Sequence, residues 1–173
     1  MEGVFELSKL SSARRLRIGP AVGSAAGLLL AGLGIGVGGG LAWGMLRPTL
    51  VIDAAGAVDE MASDPNAIFA TVGWLSVTAS VIGVVLATVA WYQQRRVGYL
   101  LWLIAVALAA TFTVIAVGDT VALMQHRGDP TRITPPLATP AVWVVAPFVA
   151  ATIYWLRNVM AYLAATERAS PQK

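Results

Sequence analysis

Four stretches of this chain, residues 18–46, 65–94, 97–118 and 133–156, contain no Asp, Glu, Lys, Arg or His. A helix needs about 20 apolar residues to cross a bilayer, and a charge at its centre costs about 3 kcal/mol. Stretches this long and this free of charge are what a membrane demands and what soluble domains rarely contain. The chain as a whole is 57 % hydrophobic and 12 % charged. In 173 residues, four spans and their links leave no room for a separate soluble domain. The reading is an all-α, four-helix transmembrane bundle. A basic segment 1–17 precedes a transmembrane domain 18–163, with spans of about 18–46, 66–93, 98–118 and 139–160, and a tail follows at 164–173. The first apolar window is about twice the length of a signal-peptide core, so it reads as a retained helix.

The basic residues orient the bundle. Lys9, Arg14, Arg15, Arg17, Arg95, Arg96, Arg157, Arg168 and Lys173 fall on one side, which is 9 of the 12 Lys and Arg; Arg47, Arg127 and Arg132 fall on the other. Short loops rich in Lys and Arg stay cytoplasmic, so both termini are expected inside and the chain is expected in the cell membrane. Arg14, Arg15, Arg17, Arg95, Arg96 and Arg157 then sit at lipid head-group depth. The net charge of +3 belongs to these span ends, which makes membrane lipids the expected partner and nucleic acid not.

The first span is dense in glycine. Gly19, Gly23 and Gly27 are four apart, as are Gly32, Gly36, Gly40 and Gly44. Residues at i and i+4 share a helix face, so these form two small-residue grooves. In lipid, where apolar helices gain nothing by leaving the medium, such grooves drive association by close packing. They serve either the bundle itself or another membrane subunit. Gly34, Gly36 and Gly39 also match a dinucleotide-loop spacing, but no strand precedes them and their flanks are apolar.

Elsewhere the punctuation is local. Asp64-Pro65 has the form of an N-cap and first helical residue opening the second span. The turn at 93–98 is short enough to pack spans two and three as an antiparallel hairpin. The third span is expected to stop near Gly118-Asp119. Pro147 lies inside the fourth. The two hairpins share no sequence repeat.

Intramembrane chemistry needs ionisable groups at depth, and none of the four windows has one. Their polar groups are hydroxyls (Ser24, Thr71, Ser76, Thr78, Ser80, Thr88, Thr111, Thr113 and Thr152), expected to bond back to helix carbonyls. With no Cys and a single His, thiolate metal sites and bis-histidine haem cannot be assembled from this chain, and no cofactor is expected. His126 with Asp119 and Asp129 is the only metal-like grouping, and an exposed loop histidine beside Arg127 is ordinarily solvated. Arg47 with Asp53, Asp59, Glu60 and Asp64 forms a polar surface on the outer side, either solvated or in contact with a partner.

The order of features resembles an actinobacterial family of small four-span membrane proteins, domain of unknown function 2567. The shared features are Leu41-Ala42-Trp43 through Arg47-Pro48, an aspartate-bearing loop before Phe69 and Gly73-Trp74, the turn Arg95-Arg96-Val97-Gly98, and Ala146-Pro147 followed by Tyr154. The resemblance covers about residues 20–163. It implies the cytoplasmic membrane of a high-GC Gram-positive cell and carries no catalytic assignment. The expected role is a non-catalytic subunit or accessory protein of a larger membrane complex, of respiratory or cell-envelope lipid machinery. A small oligomeric transporter or lipid-handling protein is the alternative, and a membrane enzyme comes third.

Overall fold

The computed structural model describes residues 20–59, 63–93, 98–125, 127, 131–135 and 140–169. Four long helices dominate it: α1 (Pro20–Leu46), α2 (Ala67–Gln93), α3 (Tyr99–Gln125) and α4 (Val142–Ala169). Each is long and apolar enough to cross a membrane. Apolar side chains cover their outer faces too: Leu30, Val81, Leu101, Phe112 and Phe148 are all exposed. A helix apolar all round is at rest only when lipid surrounds it. The chain is an all-α multi-pass bundle. The basic segment 1–17 lies outside the described residues.

The helices do not pair in chain order. α1 lies mainly along α3 and α2 mainly along α4, while α2 and α3, consecutive in sequence, meet least among the packed pairs. The short turn before α3 therefore does not produce the packed α2–α3 hairpin that its length suggests. Both principal pairs run parallel. Gly36 faces Ala110, Gly40 faces Val114 and Gly44 faces Gly118, so each turn up α1 meets the next turn up α3. Along the other pair, Gly83 faces Ala146 and, two turns on, the Trp91 ring meets Tyr154 edge-on at 6.3 Å. Parallel neighbours cannot be joined by a tight turn, which is why the chain crosses the bundle between α2 and α3.

Two short strands close one end, here called the sheet end. β1 (Leu50–Val51) follows α1 and pairs antiparallel with β2 (Arg132–Ile133), which follows α3. Each half of the chain is thus helix–strand–helix, although no sequence repeat announces it. Beyond β1 the chain turns on itself: Ile52 bridges Val58, Gly56 takes φ 81°, and the Asp53 carboxylate accepts N–H groups from Ala55 and Ala57, each at 2.9 Å. The left-handed φ at Gly56 is one that side-chain-bearing residues avoid.

Helix ends differ from expectation in two places. α3 runs to Gln125 rather than stopping near Gly118, because Asp119 is paired and need not leave the helix. α4 runs from Val142 to Ala169, well past 160, because the Ala-rich stretch 161–169 favours helix and the next proline is Pro171. At the start of α2 the Asp64 carboxylate accepts the Asn66 N–H at 2.8 Å, the cap its sequence implies. Hydroxyls bond back to the carbonyl one turn earlier at Thr71, Ser76, Thr78, Ser80, Thr88, Thr111 and Thr113.

The α1–α3 seam requires glycine at its closest points. A Cβ on Gly36 would lie 2.8 Å from the Ala110 carbonyl oxygen, and one on Gly40 would lie 2.8 Å from that of Val114. Backbone cannot step aside as a side-chain tip can. Gly36→Leu and Gly40→Leu should therefore destabilise the bundle by about 1–3 kcal/mol or more. Gly34→Leu, with nothing within 4 Å of its Cβ position, should stay within about 0.5 kcal/mol of wild type. Denaturation in detergent micelles ranks the three variants, and equal losses at Gly34 and Gly36 would contradict the seam.

Candidate functional site

Among the described residues, a polar cluster that ties helices together lies where α1 ends at the sheet end. Trp43 and Arg47 are four residues apart and share one side of the helix. The Trp43 ring is fully buried, and it rests on Gly118 of α3: a Cβ there would fall 2.2 Å from ring carbon Cε3. Its indole N–H donates to the Thr71 carbonyl at 3.3 Å, and the Thr71 hydroxyl donates to Ala67 at 2.8 Å. One side chain thus joins α1 to α2 and α3. Gly118, which reads in sequence as the end of a span, is the bed for this ring inside a continuous helix.

Arg47 follows the last residue of α1, where a cation complements the helix dipole. Its guanidinium stacks over the Trp43 ring, 4.6 Å from the centroid. Nη1 is ion-paired with the Asp119 carboxylate, and Nη2 donates to the Pro135 carbonyl just beyond β2. Arg47 is therefore a clamp across α1, α3 and the strand that leads toward α4. The pair is unequally solvated: the Arg47 side chain is 4 % exposed and that of Asp119 is 46 %. Among the described residues, the buried Arg47 Nε has no hydrogen-bond partner.

This geometry corrects the grouping of Arg47 with the loop acids. Arg47 turns into the bundle because α3 offers a carboxylate, and Trp43 a ring face, within its reach. Asp53 caps its own turn, Asp64 caps α2, and Asp59 donates its backbone N–H to Val51 at 2.9 Å. Asp53 and Asp64 are exposed and Arg47 is buried, so the structure does not bring Arg47 into one surface with those acids. Glu60 lies outside the described residues, as do His126 and Asp129; Asp119, the third member of that grouping, is held by Arg47. Among the described residues no three His, Cys, Asp or Glu side chains lie close enough to hold a metal ion.

The glycines of α1 separate into two faces. Gly32, Gly36, Gly40 and Gly44 are buried and turned to α3. Gly23, Gly27, Gly34 and Gly38 are exposed, with nothing among the described residues within 4 Å of a Cβ at any of them. The spacing of four that marks Gly23 and Gly27 as a groove continues, three turns on, through Gly34 and Gly38. A period of 11 residues keeps both pairs on one face. Of these four, only Gly34 also belongs to the dinucleotide spacing of Gly34, Gly36 and Gly39. Gly19 is outside the described residues, as are Arg14, Arg15, Arg17, Arg95 and Arg96. Arg157 is half-buried on α4.

At the opposite end of the bundle, α3 also grips α1. The Tyr99 hydroxyl reaches the Ser24 carbonyl at 3.3 Å and the Gln93 side-chain oxygen at 3.0 Å, and the Trp102 indole N–H donates to the Ala25 carbonyl at 3.1 Å. The seam is thus pinned by hydrogen bonds near its start and by the Arg47 clamp at its end.

No protein-family model, curated protein or solved structure matches this chain.

The clamp makes an ordered test possible. Asp119→Ala leaves a buried guanidinium without its counter-charge and should cost about 3–5 kcal/mol. Arg47→Met keeps an apolar stem over Trp43 and strands a half-exposed carboxylate and the neutral Pro135 carbonyl but no buried charge, so a smaller loss of about 1–2 kcal/mol is expected. The double variant should lie near Arg47→Met and far from the sum of the two. Denaturation in micelles checks the order, and additive losses would show that the two charges do not act together.

Proposed function

We propose that this chain is a non-catalytic integral membrane subunit or accessory protein of a larger membrane complex, of respiratory or cell-envelope lipid machinery. The observation that carries this reading is the open face of α1. Gly23, Gly27, Gly34 and Gly38 line up on the outside of the bundle, where glycine contributes nothing to the packing among the described residues. Glycine lowers helix stability by about 1 kcal/mol relative to alanine, measured in water, so four on one open face call for a second helix that approaches closely. Another membrane subunit supplies that helix in this reading. A homo-oligomer through the same face is the runner-up, and it would make the chain a small transporter or lipid-handling protein; the repeated helix–strand–helix halves favour it.

The reading places the protein in the cell membrane with both termini cytoplasmic, on the 9-to-3 division of Lys and Arg. The resemblance to domain of unknown function 2567 adds an actinobacterial setting to it and no activity.

Copurification in mild detergent tests the role. Unrelated subunits in fixed ratio support the subunit reading, and a homo-oligomer supports the runner-up. Gly34→Leu and Gly38→Leu should leave the isolated bundle stable and lose the partner; retention of every partner by both variants would remove the reading's support. Orientation is tested separately on this cysteine-free chain. Ser63→Cys and Thr134→Cys should react with an impermeant thiol reagent added to intact cells, and Gln94→Cys should not.

A further inference from the structure

A groove of about 270 Å³ runs between α1 and α2 toward the sheet end. Trp43 and Ile82 form its floor and are almost wholly buried, whereas Trp74, Val77 and Val81 at its rim are more than half exposed. Small residues shape it: Gly39 lets the Thr78 and Ile82 side chains of α2 come against the α1 backbone, within 3.1 and 3.3 Å of where a Cβ would stand, and Ala42 lines the groove with only a methyl. We propose that this groove is a binding site for one acyl chain of a membrane lipid.

Three observations identify the occupant. The groove lies within two helices that are each long and apolar enough to cross a membrane, so the medium at its mouth is hydrocarbon. Apart from the Trp74 indole at its exposed rim, its polar side chains are engaged inside the protein: the Trp43 indole N–H donates to the Thr71 carbonyl, and the Thr78 hydroxyl donates to the Trp74 carbonyl at 2.9 Å. The floor of the groove therefore recognises a ligand by shape alone, which suits a methylene chain and not a head group or a polar solute. Its length fits as well. Along α1 it extends from Ile35 to Leu46, about 16 Å at 1.5 Å per residue. That is about half of the 30 Å hydrocarbon core, the depth of one leaflet. The ligand is a chain from the leaflet on the sheet side, lying along the bundle and excluding a void whose walls would otherwise lose dispersion contacts. This inference is independent of the subunit reading, which concerns the adjoining glycine face of α1.

A phosphatidylcholine carrying a diazirine in mid-chain, incorporated into proteoliposomes with the wild-type protein, tests the site by photolabelling and peptide mapping. Label on Ala42, Val77 and Val81 should exceed that on Leu101, Leu108 and Phe112, the exposed face of α3, by at least threefold per residue. Ala42→Phe with Val77→Phe fills the groove from lipid-facing positions and should abolish the excess without lowering α3 label. Uniform labelling of the wild type overturns the site, even where the double variant fails to fold, and so does an excess that survives in a folded double variant. Groove label that is strong in proteoliposomes and absent in native membranes assigns the groove to a protein partner and likewise overturns the proposal.

Discussion

The contact on which the sheet end of this protein depends is between two backbones. In lipid an apolar side chain gains little by moving from the medium to a neighbouring helix, so association rests on how near the helices come and how many atoms then touch. α1 and α3 come within contact of each other's backbone from Gly36 to Gly44, at positions where a single Cβ would collide with a carbonyl. Every polar device at the sheet end presupposes that distance. Trp43 can lie on Gly118, and Arg47 can reach Asp119, only because the two helices are drawn together just below them.

Arg47 shows how a charge at the edge of an apolar bundle is made tolerable. Its guanidinium is shared among a carboxylate, a backbone carbonyl and a ring face, each from a different part of the chain. Asp119, half-exposed, keeps part of its hydration while countering a cation that has lost nearly all of its own. The buried partner is thus the one whose loss of its counter-ion is most expensive. The pair also lets α3 carry a carboxylate two turns before its end, which lengthens the helix beyond its charge-free window.

The sequence made the number of helices, their approximate limits and the fate of the hydroxyls legible, since each depends on local composition or on contacts one turn apart. The Asp64 cap was legible for the same reason. Partnerships between distant residues were not. Arg47 and Asp119 are 72 residues apart, and in sequence each looks like an ordinary charge at the end of a span. Which helices pair was hidden as well, because helices apolar on every side carry no stripe to say which face is inside. The division of the α1 glycines into a buried row and an open row is visible only once α3 is in place, although the 11-residue repeat of the open row was present to be read. The two-residue strands lie in segments too short for alternation to signal them.

The parallel pairing of α1 with α3 also bears on how the protein is made. The residues that complete the α1 seam are synthesised after α2, the Arg47–Asp119 separation of 72 residues marking the interval. At 5–20 residues per second that is about 4–14 s during which the first helix stands in the membrane with its buried glycine row uncovered. Antiparallel hairpins close as soon as their second helix arrives, whereas this bundle must hold its first helix in reserve until the third. A nascent helix with two open glycine faces is a surface on which a chaperone, the insertion machinery or another newly made helix can act before the native neighbour exists.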